Sequence, residues 1–193
     1  MKHGCRGLAA IAVALLCLPP AAKAQLNLNP FAGYYNNIPR AAQANDVGKV
    51  RSLLSDGDSP NQTDEDGATT GLHIAASSGN LQIIAILYKA GGDINARDTV
   101  GNTPLDRAAE HDQIEAVKLL LDMKASANVQ NKNGMTPLMY AAKSGDVDLV
   151  RALLSHGANA GVADYTGRDA TGWAQDSHHP MVVQILKGAE SKH

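Results

Sequence analysis

Histidine is the residue type in this sequence best suited to acid–base or metal chemistry, because its ordinary pKa lies near neutral pH. His178 and His179 are adjacent, His156 lies upstream of them and His193 lies in the tail. Adjacent histidines cannot easily bind one ion together, and no acidic residue is spaced with these four as in zinc sites. Solvated histidines are therefore favoured over a metal cluster, and the sequence predicts neither a metal nor a cofactor.

No group of residues is spaced for covalent catalysis. Nucleophilic catalysis requires a nucleophile, a base and an orienting group. The sequence contains no G-x-S-x-G motif and no glycine-rich phosphate loop. The polar run Glu110-His111-Asp112 is better interpreted as the solvated end of a helix than as a catalytic cluster. We therefore predict that the protein is not an enzyme.

The N-terminal segment predicts export. Lys2 and Arg6 precede an apolar run at 8–18, and small residues precede a cleavage site expected after Ala24. The apolar run is shorter than the roughly 20 residues that span a bilayer. We expect a cleavable signal peptide at 1–24 and a mature protein without membrane insertion. A periplasmic location is favoured, with secretion as the second alternative.

Cleavage would change the composition of the chain. Both cysteines fall within the signal segment, so the mature chain would have no disulfide and no thiol. Lipidation of Cys17 is a competing interpretation, but Leu16 stands where a lipoprotein signal places a small residue. Cleavage also removes Lys2, Arg6 and Lys23, which leaves 14 of the 17 basic residues against 19 acidic ones. This acidic balance argues against nucleic acid or an anionic membrane as the partner.

One pattern recurs three times at a spacing of 33 residues. The copies are T-G-L-H-I-A-A from Thr70, T-P-L-D-R-A-A from Thr103 and T-P-L-M-Y-A-A from Thr136. A fixed period of this length predicts a solenoid, in which each unit packs on its neighbours. Such an array is better suited to holding a partner than to reacting with one.

Each copy contains the signals of a turn followed by two helices. In the third copy, Gly134 suits a turn with positive φ, Thr136 is placed to cap a helix, and Pro137 occupies its first position. A second helix with an apolar face follows at the helical spacing. The first helices are expected to end near three positions in one register, Gly79, Asp112 and Gly145.

The combination of turn, T-P-L-x-x-A-A helix, apolar second helix and G-A-D-V-N-like exit resembles ankyrin repeats. The resemblance covers nearly the whole chain after Ile38. It implies an all-α solenoid of helix-turn-helix units with projecting β-hairpin loops, and a concave face formed by loop tips and first helices. About five repeats are expected, including degenerate caps. The predicted units are 38–63, 64–97, 98–130, 131–163 and 164–188, between a segment at 25–37 and a tail at 189–193.

Three positions carry expectations specific to this chain. Gly67 is one residue out of register with Gly101, so the loop that contains it should be longer and irregular. Trp173 falls at the position that Tyr140 has in the preceding unit. For His73, the resemblance implies a structural hydrogen bond between repeats rather than a catalytic role.

The segment 25–37 is rich in asparagine and aromatic residues, with Phe31, Tyr34 and Tyr35. Its rings are expected to cover the first helix pair. An independent binding peptide is the alternative interpretation.

Ankyrin proteins usually turn their loop tips and first-helix ends towards partners, and the resemblance extends this to the present chain. Another protein is the predicted partner, and we expect the chain itself to be a monomer. Met135 and Tyr165 are expected to be exposed, since adaptable and aromatic side chains are enriched at interfaces. The predicted contact residues are Glu65, Asp66, Thr99, Val100, Asn102, Glu110, His111, Lys132, Asn133, Met135, Lys143, Tyr165 and Arg168.

Other interpretations of these residues remain open. Charged tips can simply be solvated, and Tyr165 can shield the last unit. At the level of function, the favoured hypothesis is a non-catalytic interaction module in the periplasm. The alternatives are an accessory factor that protects an exported enzyme and a secreted effector that binds a host protein.

Overall fold

The structure is a computed structural model that describes residues 37–65 and 67–190. The predicted signal peptide, nearly all of the 25–37 segment, Asp66 and the last three residues lie outside this part of the chain. Both interpretations of 25–37 therefore stay predictions.

Ten α-helices occupy the described residues, and they form five pairs. Each pair has a first helix and a second helix joined by a short turn. The pairs are α1 (Ile38–Gln43) with α2 (Val47–Ser55), α3 (Gly71–Ser77) with α4 (Leu81–Lys89), α5 (Pro104–Glu110) with α6 (Ile114–Asp122), α7 (Pro137–Ser144) with α8 (Val147–Ser155), and α9 (Ala170–Asp176) with α10 (Pro180–Glu190).

First helices pack against first helices and second helices against second helices along the whole array. Leu72, Leu105 and Leu138 recur at the repeat period and are fully buried. Small side chains beside them let neighbouring helices approach closely. These are the alanine pairs at 75–76, 108–109 and 141–142, which have no exposed surface. The arrangement confirms the predicted all-α ankyrin solenoid.

The helix ends follow the predicted cap chemistry. Thr103 and Pro104 are the N-cap and first residue of α5, and the Thr103 hydroxyl accepts the Asp106 backbone N–H at 3.3 Å. The first helices end one or two residues before a residue with positive φ, which confirms the three predicted ends. The positive-φ residues that follow the five first helices are Asn45, Gly79, Asp112, Gly145 and His178.

The last helix is longer than expected. It begins at Pro180, as the first position of a helix allows, and continues to Glu190, beyond the predicted end of the last unit at 188. Ala189 and Glu190 favour helix, so the helix extends into the predicted tail. Among the described helices, none is both long and apolar enough to cross a membrane.

Tight turns, which we call the tips, precede the last three first helices at 98–102, 131–135 and 164–168. In each tip, the backbone N–H of the first residue donates to the carbonyl of the last, at 3.0, 3.0 and 2.7 Å. In the corresponding loop before α3, the Asp64 backbone N–H instead donates to the Thr69 carbonyl, one residue further along than in the tips, at 2.9 Å. The extra residue confirms that this loop departs from the others.

The loops at the other end of the units are joined by asparagine side chains. Each side-chain oxygen accepts a backbone N–H group from the next unit, at 2.7 to 2.9 Å. The residues are Asn61, Asn95 and Asn128. Successive units are therefore linked by polar bonds as well as by the apolar core.

Candidate functional site

Three buried residues hold the tips from beneath. Asp98, Asn131 and Asp164 begin the three tips and are 4%, 1% and 6% exposed. The Oδ1 atom of each accepts the backbone N–H groups two and four residues further along, at 2.8 to 3.0 Å. Because these donors are satisfied from within, the backbone of each tip is held in one conformation.

Each of these anchors also bonds a first-helix side chain nine residues further on. The donor chemistry differs from unit to unit, while the spacing stays constant. The pairs are Asp98 Oδ2 with Arg107 Nε (2.8 Å), Asn131 Nδ2 with the Tyr140 hydroxyl (3.0 Å), and Asp164 Oδ2 with Trp173 Nε1 (3.0 Å). We call the tips together with the outward side chains of α5, α7 and α9 the tip face.

Three of the bonded groups have shifted pKa values: burial raises the pKa of Tyr140, and the other two groups are the charged Asp164 and Arg107. Burial alone would raise the pKa of Asp164, but hydrogen bonds from Thr166, the Arg168 backbone and Trp173 outweigh it and hold the pKa below its ordinary value. Burial lowers the pKa of Arg107, but the hydrogen bond and charge of Asp98 raise it more. Both groups therefore carry full charge at neutral pH.

Neighbouring tips are bonded to each other. The Lys132 backbone N–H donates to the Val100 carbonyl at 3.0 Å, and its Nζ donates to the Thr99 carbonyl at 2.8 Å. In the next pair, the Tyr165 backbone N–H donates to the Asn133 carbonyl at 3.2 Å. The three tips therefore form one continuous surface.

Ten of the predicted contact residues have exposed side chains. Their exposure agrees with the sequence analysis, and their part in binding stays a prediction. They are Glu65, Thr99, Val100, Glu110, His111, Lys132, Asn133, Lys143, Tyr165 and Arg168. Asp66 lies outside the described residues.

The prediction that Asn102 and Met135 belong to the exposed surface is wrong. Asn102 is 2% exposed, because its Oδ1 accepts Asn131 Nδ2 at 2.7 Å and the Tyr140 hydroxyl at 3.2 Å beneath the tips. Met135 is 8% exposed, because it packs in the continuous apolar core. Arg168 has the same register position and is exposed, so register alone does not determine exposure there.

The sequence analysis did not include Arg107, Tyr140 and Trp173 among the contact residues. They are half-buried side chains in one register of the first helices, on the same side as the tips. Their spacing of nine residues from an Asp or Asn that begins a tip is a signal that could have identified them.

Trp173 is the centre of a cluster of cations. Lys143 Nζ lies 5.5 Å from the centroid of its ring, and the guanidinium carbon of Arg168 lies 5.2 Å from it. Both distances fit cation–π contacts. Arg168 Nε also lies 3.2 Å from Asp176 Oδ2, and the neighbouring Tyr165 is 72% exposed.

Two of the histidines in the described residues form bonds between units. The predicted bond between repeats is confirmed at His73, which is 1% exposed and whose Nε2 lies 3.0 Å from the Asn102 carbonyl in the next unit. His179 Nε2 lies 3.1 Å from the Lys143 carbonyl. Within 37–65 and 67–190, no three His, Cys, Asp or Glu side chains come together as a metal site.

Comparison with known proteins identifies the repeat. Residues 39–130 and 123–193 match the family of ankyrin repeats in three copies. An ankyrin repeat-containing protein of Schizosaccharomyces pombe is 45% identical over 36% of this chain and 33% of its own length. An ankyrin repeat protein of Rickettsia bellii is 34% identical over 37% of this chain and 40% of its own. NF-kappa-B inhibitor delta of Mus musculus is 43% identical over 35% of this chain and 21% of its own.

These relatives are matched over less than half of their own length. The family match, in contrast, covers the helical array from α1 to α10. The chain therefore belongs to the ankyrin-repeat family, whose repeats generally act as non-catalytic modules that bind other proteins.

Proposed function

We propose that this protein binds another protein through the tip face and has no catalytic activity of its own. The observation that carries the proposal is that exposed side chains stand on a tip backbone that is fixed by hydrogen bonds. Lys132, Tyr165 and Arg168 project from tips whose backbone is bonded to buried anchors and to the neighbouring tip.

Such a surface is already formed before a partner arrives. Binding costs free energy when loops and side chains must be ordered at the interface. The buried anchors Asp98, Asn131 and Asp164 reduce that cost by ordering the tip backbone within the free protein. Tyr165 adds a large exposed ring of the kind that contributes strongly to protein interfaces.

A capture experiment with matched variants tests the proposal. The purified protein is used as bait in an extract of the native organism. The tip-face variant carries Lys132→Glu, Tyr165→Ala and Arg168→Glu. The control variant carries the same types of change on the exposed sides of α4 and α8, namely Lys89→Glu, Tyr88→Ala and Arg151→Glu.

We expect one protein to be captured by the native chain and by the control variant, and lost with the tip-face variant. Both variants should keep the native unfolding temperature, because all six positions are exposed. Capture by all three proteins alike, or by none, contradicts the proposal.

We further propose that the protein acts as a monomer after export to the periplasm. The support is the basic start, short apolar run and small residues before Ala24. N-terminal sequencing of the protein from periplasmic extract should begin at Gln25. A chain that retains residues 1–24 in the cytoplasm contradicts the proposed location, and recovery of the chain only from the culture medium favours the alternative of secretion.

A further inference from the structure

We infer that the segment of the partner that contacts this protein is an acidic peptide segment, bound over Trp173 in the C-terminal half of the tip face. The inference rests on the proposed function and adds the chemistry of the partner. Its binding surface, which we call the cationic patch, consists of Lys132, Lys143, Tyr165, Arg168 and Trp173.

Two arginines in the N-terminal half of this side of the molecule are neutralised within the fold. Arg40 is paired with Glu65, and Arg107 is paired both with the buried Asp98 and, at 3.0 Å, with Glu110. Neither of these two arginines therefore presents much uncompensated positive charge to a partner.

The cationic patch is different. Among the ion pairs of the described residues, none includes Lys132 or Lys143. Arg168 has one exposed acidic neighbour, Asp176, at 3.2 Å. The carboxylate of Asp164 beneath the patch is already bonded to Trp173, Thr166 and the tip backbone. The patch thus has net positive charge on its accessible side.

The cations of the patch are also held in place. Lys143 and Arg168 both lie over the Trp173 ring, at 5.5 and 5.2 Å from its centroid, and the ring is fixed by its bond to Asp164. Lys132 is fixed by its bond to the Thr99 carbonyl. A carboxylate that arrives here meets charges that need little further ordering, which favours binding.

The exposed ring of Tyr165 beside these cations suits a peptide better than a bare anion. It offers apolar area to the backbone and side chains of a peptide, while the cations bind its carboxylates. Nucleic acid fits less well, because tight non-specific binding involves roughly six to ten phosphate contacts. The patch offers three cations on a chain whose net charge is −2.

The test uses a short peptide of alternating Glu and Ser as the probe, with a fluorescent label, against the whole purified protein. A peptide of alternating Lys and Ser and a single-stranded oligonucleotide of the same length are the comparison probes. Trp173 is the only tryptophan in the chain, so its emission reports binding at the patch itself. Label anisotropy gives Kd for the native protein and the variants.

We expect saturable binding of the acidic peptide together with a change in Trp173 emission, and weaker binding as the salt concentration rises. The double variant Lys143→Glu and Arg168→Glu should raise Kd at least about tenfold. The matched control, Lys89→Glu with Arg151→Glu on the second helices, should leave Kd within about twofold.

Three results would overturn the inference. They are the absence of saturable binding by the acidic peptide, equal binding by the basic peptide, and tighter binding by the oligonucleotide at the same patch. If a protein is still captured through the tip face in the extract experiment, any of these results leaves the proposed function in place and removes only the acidic chemistry of the partner.

Discussion

Two neighbouring interfaces between repeats use the same position in opposite ways. His73 in α3 and Asp106 in α5 are 33 residues apart, and each is the fourth residue of its T-x-L-x run. His73 Nδ1 accepts the Thr70 backbone N–H at 3.2 Å, and its Nε2 donates to the Asn102 carbonyl of the next unit at 3.0 Å. An imidazole can bond on both sides of the interface, and here it does so.

Asp106 reproduces only half of this network. Its Oδ2 accepts the backbone N–H and the hydroxyl of Thr103, both at 2.7 Å. Its Oδ1 is buried without a hydrogen-bond partner. An ionised carboxylate has no proton to donate towards the next unit, whereas a protonated one has. The comparison shows that two repeats can share the geometry of the helix cap although only one of them forms the side-chain bond to the next unit.

Burial shifts the pKa values of the two groups in opposite directions, because it disfavours the charged form of each. Burial lowers the pKa of His73, so the neutral imidazole is favoured. Burial raises the pKa of Asp106 to about 7, against the Thr103 hydrogen bonds, with Asp98 raising it further and Arg97 lowering it. Each interface is therefore most stable when its buried group is neutral.

The two interfaces consequently respond oppositely to pH. Because folding raises the pKa of Asp106, this group makes a contribution to stability that is fully present below pH 3.8, its ordinary pKa. The contribution is lost as the pH rises through about 7. The lowered pKa of His73 gives stability that is complete above its ordinary value of 6.5 and is lost as the pH falls below it. Acid thus weakens the α3–α5 interface and strengthens the α5–α7 interface.

The largest effect is expected from His73→Asp, which gives the first interface the chemistry of the second. The change removes the bond to the Asn102 carbonyl and adds a buried carboxyl group beside Thr70. We expect the free energy of unfolding to fall by more than about 3 kcal/mol at pH 8. Urea unfolding measures it.

The loss from His73→Asp should be smaller at pH 5, because the new carboxyl group can then take up a proton. The control is His111→Asp at the exposed C-cap of α5, for which we expect a loss of less than about 1 kcal/mol. Equal losses for the two variants would show that the buried bond of His73 contributes no specific stability.

The next largest effect is expected from Asp106→Asn, which removes the buried charge and keeps the shape. The variant should be more stable than the native protein at pH 8, and this gain should shrink by about 2 to 3 kcal/mol between pH 8 and pH 5, because Asp106 of the folded protein takes up a proton over this range. Urea unfolding between pH 5 and pH 8 measures the change.

Asp112→Asn provides the control for Asp106→Asn, because Asp112 is exposed and its backbone has the positive φ that asparagine tolerates. Its stability should follow the native curve at every pH. A constant gain for Asp106→Asn across the whole range would contradict the raised pKa of Asp106.

The fold could be predicted because its determinants are local and repeated. Thr103, Pro104 and the positive-φ residues after the first helices act within a few residues of themselves. The alanine pairs recur in the same register, so the period of the whole pattern is visible in the sequence. The extra residue near Gly67 was visible for the same reason, as a break in that period.

The site could be predicted only in part, because exposure depends on contacts between units. Asn102 and Arg168 share a register, yet Asn102 is held beneath the tips by Asn131 and Tyr140, whereas Arg168 is exposed over Trp173. The unpartnered oxygen of Asp106 is likewise a property of the interface between units. Pattern alone carries no information about such three-dimensional partners.

The smallest effect concerns a third interface, where Met139 stands in the register of His73 and Asp106. Met139 offers the Thr136 hydroxyl only a weakly accepting thioether sulfur, and Thr136 Oγ1 is buried without a hydrogen-bond partner. Thr136→Val should therefore raise the free energy of unfolding by up to about 1 kcal/mol, because valine has nearly the same shape and no donor to satisfy.

The same substitution one unit earlier should have the opposite sign. The Thr103 hydroxyl donates to Asp106 Oδ2 at 2.7 Å, so Thr103→Val should lower the free energy of unfolding by about 1 to 2 kcal/mol. Urea unfolding of both variants at pH 7, with unchanged dependence on urea concentration, compares them directly. A loss of similar size in both would mean that the Thr136 hydroxyl has a partner in solution. Opposite signs would show that a threonine in this register stabilises its unit only where the side chain three residues further on accepts a hydrogen bond from its hydroxyl.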